Sequence, residues 1–153
     1  MNSTSKPSPE SSSDPFDLAR FVAAQAGVYE RALSEVKQGR KCSHWMWYIY
    51  PQLRGLGRSA MAQRYGITGI AEARAYLAHG LLGPRLMAMG EAVLSVQGKS
   101  AAEIFGEPDD MKLRSCATLF AKVASPDSVF HWIIETYFGG EFDPLTLALL
   151  RDS

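Results

Sequence analysis

Two cysteines, three histidines and no net charge are what this sequence offers to metal or field-driven chemistry, and each scarcity removes a class of function. Cys42 and Cys116 do not form a C-x-x-C pair, and three scattered histidines do not make a tetrahedral cluster, so no metal and no cofactor is expected. The thiols suit a reducing compartment. The 16 basic and 16 acidic side chains cancel, so no global field draws the chain to nucleic acid or to an anionic membrane, and any anion site has to be local. No window approaches the ~18 uninterrupted apolar residues of a membrane span, and nothing after Met1 resembles the apolar core of a signal peptide. The expectation is a cytoplasmic protein with no nucleic acid and no membrane as partner. Period-two runs of β-branched residues between turn signals are missing as well, which argues against strands, and no repeat recurs at a solenoid period.

What the chain does have is apolar residues at helical spacing. Hydrophobic side chains make up 46% of 153 residues, enough for one continuous core without disulfides. Residues Met1 to Ser13 carry almost nothing apolar and are expected to be a disordered tail, followed by a single all-α globular domain over 14–153. Asp14-Pro15 suits a helix start, with Leu18, Phe21 and Val22 on one face. Val28, Ala32, Leu33 and Val36 continue the period past Gly27, and Gly39 ends it. Ser59 suits a cap for a short helix, Thr68-Gly69 opens another to His79, and Leu86, Met89, Val93 and Val96 mark a longer one after Gly83-Pro84. Ser100-Ala101-Ala102-Glu103 matches a capping box. Leu113, Cys116, Phe120 and Val123 share a face. Ser125-Pro126-Asp127 is read as the cap of a helix whose apolar residues, Trp132 among them, point in nearly every direction, so that helix is expected to be central. Asp143-Pro144 opens the last. The fold class is all-α, a bundle of roughly eight or nine short helices.

The segment Lys41 to Gly57 concentrates two of the three tryptophans, a histidine and two tyrosines. Ser43 is read as the cap of a helix from His44 to Tyr50, which Pro51 stops. Free amides at that N-terminus, with Lys41 and the Ser43 hydroxyl beside them, would suit phosphate. Trp45 or Trp47 would then stack a flat ring, while Gln52 reads a polar edge and Arg54 contributes only if the chain folds back at Gly55 to Gly57. Because the imidazole side chain has a reference pKa near neutrality, His44 is the candidate catalytic acid or base. Cys42 and His44 lie two residues apart and do not face one another on a helix, so a thiol nucleophile is not expected. The competing reading makes Ser43 a cap and the aromatics core.

Ser43-His44-Trp45-Met46-Trp47, Tyr50-Pro51-Gln52-Leu53 and Gly55-Leu56-Gly57 resemble the signature of a bacterial family known as domain of unknown function 1810. The name calpastatin is sometimes attached to that family. The resemblance runs from about Phe16 to Leu150 and includes His79, Leu82-Gly83-Pro84-Arg85-Leu86, Ile104-Phe105-Gly106, Lys112-Leu113 and Thr118-Leu119-Phe120. It implies a compact, wholly helical fold and implies no activity. Gly80 stands where the family pattern has proline after His79, and Cys42 falls where the pattern varies, which argues further against a catalytic thiol. The functional expectation is a domain that binds or processes a small anionic, nucleotide-like metabolite at Lys41, Ser43, His44, Trp45, Trp47, Gln52 and Arg54. The alternative is a non-catalytic interaction or structural domain in which this helix braces the core.

Overall fold

The computed structural model describes residues 14–152, so the expected tail over 1–13 lies outside the described residues. Among the described residues there are ten α-helices and no strand: α1 (Ala19–Gln25), α2 (Tyr29–Lys37), α3 (Met46–Ile49), α4 (Ala60–Arg64), α5 (Ile70–Ala78), α6 (Leu82–Leu94), α7 (Ala101–Phe105), α8 (Asp109–Ala121), α9 (Val129–Phe138) and α10 (Pro144–Asp152). The all-α expectation is met. A single parallel bridge between Leu53 and Ile67, from Arg54 N to Ile67 O at 2.8 Å and Ile67 N to Gln52 O at 2.9 Å, ties the two loops that flank α4.

Side-chain chemistry explains most of the boundaries. Asp14 accepts the amides of Leu18 and Ala19 at 2.7 and 3.0 Å, filling donors that a helix start leaves open. Ser59 caps α4 by accepting from Ala62, and Ser100 and Glu103 form the capping box of α7. The α9 cap is Ser128 instead of the expected Ser125, its hydroxyl accepting from the His131 amide. Gly139 closes α9 at φ 63, a left-handed conformation that costs glycine little. Asp143 Oδ2 caps α10, accepting the amide and hydroxyl of Thr146 at 3.0 and 2.6 Å.

The core is one contiguous cluster. Helix α6 lies at its centre, packed against α2, α5 and α9, while α8 packs against α5, α7, α9 and α10. Polar links cross this core. Arg20 donates to the carbonyls of Phe16, Asp17, Arg64 and Gly66 and pairs with Glu72 at 2.9 Å; both side chains are almost fully buried. Gln25 joins the Tyr48 carbonyl, the Tyr76 hydroxyl and Arg85.

One expectation fails at α9. Val129, Phe130, Ile133 and Ile134 are buried against α8 and α6, but Trp132 is 55% exposed. Apolar residues spread around a helix do not reveal which side lacks a neighbour, and Trp132 lies on that side.

Candidate functional site

Helix α2 ends in a reversal at Gly39, where φ is +75°, and Arg40 N returns to Glu35 O at 3.0 Å. That turn lays the next residues back across the last turn of α2 and sets them against Glu35. Lys41 N is then fixed on Ile104 O at 2.8 Å, tying the segment to α7.

The Glu35 carboxylate takes four hydrogen bonds there. Oε1 accepts the Cys42 amide at 2.9 Å, the Ser43 amide at 3.1 Å and the Trp45 indole N–H at 2.9 Å, while Oε2 accepts the Ser43 hydroxyl at 2.7 Å. Partial burial raises the Glu35 pKa, but these donors outweigh it and bring the pKa down to about 2. Of the donors that the sequence suggests for an external anion, Glu35 takes the Ser43 hydroxyl, and to it adds the amides of Cys42 and Ser43 and the Trp45 indole; the amides of His44, Trp45 and Met46 at the start of the next helix are not among its partners.

Helix α3 is shorter than expected. It spans four residues, Met46–Ile49, with Trp45 at the N-cap position and no side-chain cap, so Ser43 is a ligand of Glu35 rather than the helix cap. Trp45 has no exposed surface, and Met46, Ile49 and Tyr50 are buried beside it. A ring in that position packs the core and cannot stack a ligand from solution. The Tyr50 hydroxyl donates to Met89 O at 2.7 Å, and its ring meets Trp45 at 6.1 Å and Phe105 edge-on at 5.6 Å.

Two lysines at the segment are engaged as well. Lys41 pairs with Asp109 at 2.9 Å, sits 5.0 Å from the centre of the Trp45 ring and donates to Ser43 O. Lys112 pairs with the other oxygen of Asp109 at 3.3 Å and lies 5.0 Å over the half-buried Trp47. The start of α8 is thus clipped to the aromatic segment.

What remains open is dispersed. His44 is exposed, and among the described residues its ring has no hydrogen bond; only its carbonyl is engaged, by the Tyr48 hydroxyl at 3.5 Å. The Cys42 thiol turns to Arg40 O at 3.6 Å rather than to His44. Gln52 is half-buried and holds Ile67 through its backbone carbonyl, and Arg54 is exposed beyond it. Sequence reasoning missed Glu35, whose signal was faint: an acid one turn before a terminating glycine, on the chain that reverses toward the aromatic run.

Grooves lie elsewhere. One of about 690 Å³ runs between α1 and α5, lined by Phe16, Leu18, Val22, Ala75, His79 and Leu81. Its His79 Nδ1 accepts the amides of Leu81 and Leu82 at 3.1 and 3.2 Å, at the start of α6. Another, of about 590 Å³, lies beside Trp132.

An all-helical core braced on an internal carboxylate is the class that these observations define. The chain belongs to the family described as protein of unknown function (DUF1810), which it matches over residues 15–150. It is similar to the crystal structure of the conserved hypothetical protein Rv1873 from Mycobacterium tuberculosis, with 54% identity and a TM-score of 0.88, covering 90% of this chain and 99% of that one. No curated protein matches it. Among the described residues no helix is long and apolar enough to cross a membrane.

Proposed function

We propose that this chain is a protein-interaction domain in which the aromatic segment is an internal brace and the working surface lies on α9. The observation that carries the reading is the Glu35 carboxylate: it takes the amides of Cys42 and Ser43, the Ser43 hydroxyl and the Trp45 indole N–H, donors that would otherwise be open to an external anion at this turn. An external phosphate would have to displace a carboxylate already satisfied by four donors, and of the cations beside it Lys41 is held by Asp109 while Arg31 donates to the Ser43 hydroxyl at 3.2 Å. Trp132 supports the second half of the reading. A tryptophan more than half exposed at a groove is the kind of side chain that anchors interfaces.

Thermal melts with inorganic phosphate, a nucleoside diphosphate and a dinucleotide test the choice between brace and receptor. The expected outcome is an unchanged midpoint with each, since a ligand that binds only the folded form raises stability in proportion to the logarithm of its saturation. A midpoint that rises with one of them, and no longer rises in His44→Gln or Arg54→Gln, would restore the small-ligand reading at this segment.

A further inference from the structure

Beside Trp132 the surface carries apolar and acidic side chains. Leu77 of α5, Met87 and Leu94 of α6, Ala124 and Val129 line the groove of about 590 Å³ together with the exposed Glu91 and Asp127. On the other side of the indole, Glu135 joins Asp127 and His131 in a second, shallower depression of about 360 Å³. Trp132 forms the wall between the two and belongs to both. Glu91, Asp127 and Glu135 are exposed, and among the described residues none of their carboxylates has an ion pair or a hydrogen bond. No lysine or arginine lines either depression. In a chain whose charges cancel overall, this face holds three carboxylates without a counter-charge.

From this arrangement we infer that the groove receives a cationic amphipathic helix of a partner protein, its apolar side chains seated on Leu77, Met87, Leu94 and Val129 and its lysines or arginines meeting Glu91, Asp127 and Glu135. The inference rests on the interaction reading above and names the chemistry of the partner. An apolar floor between two helices accepts the anchors of an amphipathic helix at three- and four-residue spacing. Trp132 offers an indole face to a cation and an apolar flank to a methylene stem. Met87, unbranched and more than a third exposed, adapts to the side chain it meets. A second copy of this chain does not suit the face, because a two-fold contact there would bring the same carboxylates together without cations. Residues 1–13 do not suit it either: they hold one lysine, one glutamate and little that is apolar.

The probe is a pair of synthetic amphipathic helices, each with leucine on one face and either lysine or glutamate on the other, titrated calorimetrically into the full chain. Titrations use the wild type, Trp132→Ala and the double variant Glu91→Lys/Asp127→Lys, each first checked by circular dichroism for a wild-type spectrum. The leucine–lysine helix is expected to bind the wild type, to weaken by about tenfold or more in Trp132→Ala, to weaken similarly in the double variant, and to lose affinity as salt is raised. The leucine–glutamate helix is expected not to bind the wild type. If both helices bind equally and both depend on Trp132, the docking surface stands and the cationic partner is overturned. If neither helix binds, or if Trp132→Ala changes nothing, the inference and the interaction reading fall together.

Discussion

Glu35 is the residue on which the rest of the aromatic segment depends. Replacing it by alanine strands a buried indole N–H and two backbone amides, so Glu35→Ala is expected to cost about 2–4 kcal/mol in chemical denaturation, the range for losing a charged acceptor with several donors. His44 lies at the other extreme. With an exposed ring and no hydrogen bond to it among the described residues, His44→Gln is expected to change stability by less than about 0.5 kcal/mol, and paired melts with and without phosphate are expected to superimpose on those of the wild type. A structural loss above about 1 kcal/mol would mean that the ring has a partner in solution that this geometry lacks.

At the scale of the helix, α9 and α3 show opposite fates for tryptophan. In α9, Val129, Phe130, Ile133 and Ile134 fill the interfaces with α8 and α6, and the Tyr137 hydroxyl reaches the carbonyls of Val93 and Val96. Trp132 contributes little to that packing, so Trp132→Ala is expected to lower stability by less than about 1 kcal/mol, against the 3–5 kcal/mol of a buried ring. Urea titration of the variant distinguishes the two. In α3 the short helix survives because its neighbours hold it: four residues cannot pay for their own nucleation, and Trp45, Ile49 and Tyr50 are packed on all sides. The capping box at Ser100, the Ser59 cap and the helix stop at Gly39 were legible because each depends on residues a few positions apart. Ser128 was missed because Ser125 carries the same local chemistry, and only the start of α9 against the core selects between them. Trp45 and Trp47 carried the right alternative, brace or stack, but nothing within the segment states which face turns inward.

Across the whole molecule, long-range polar contacts mark what sequence patterns do not reveal. Apolar periodicity was enough for the all-α class because it needs only local spacing. Arg20 and Glu72 meet across 52 positions of chain, and neither residue's neighbours announce the other. Their link joins the start of α1, the loop after α4 and the first turn of α5, with Glu72 Oε1 also accepting the Thr68 amide and hydroxyl at 2.9 Å each. Removing one partner leaves a buried charge alone, so Glu72→Ala is expected to cost about 3–5 kcal/mol, measured by urea unfolding, and Arg20→Met/Glu72→Leu together much less than the two single losses combined. Glu35 belongs to the same category at shorter range. Its meaning depends on a chain reversal, and for that reason Glu35 did not figure among the candidate site residues.

The most direct measurement of that brace is the unfolding free energy of the wild type and of Glu35→Gln from neutral pH down to about pH 2. The Glu35 carboxyl titrates at about 2 in the folded chain, against an ordinary value of 4.5. The folded form thus holds the ionised state more tightly, and its contribution is fully present above about pH 4.5 and is lost as pH falls toward 2. The wild type is expected to exceed Glu35→Gln by a constant margin at neutral pH and to converge on it over that window. A margin that is absent at neutral pH, or that stays unchanged down to pH 2, would contradict an ionised Glu35 as the anion around which this segment is folded.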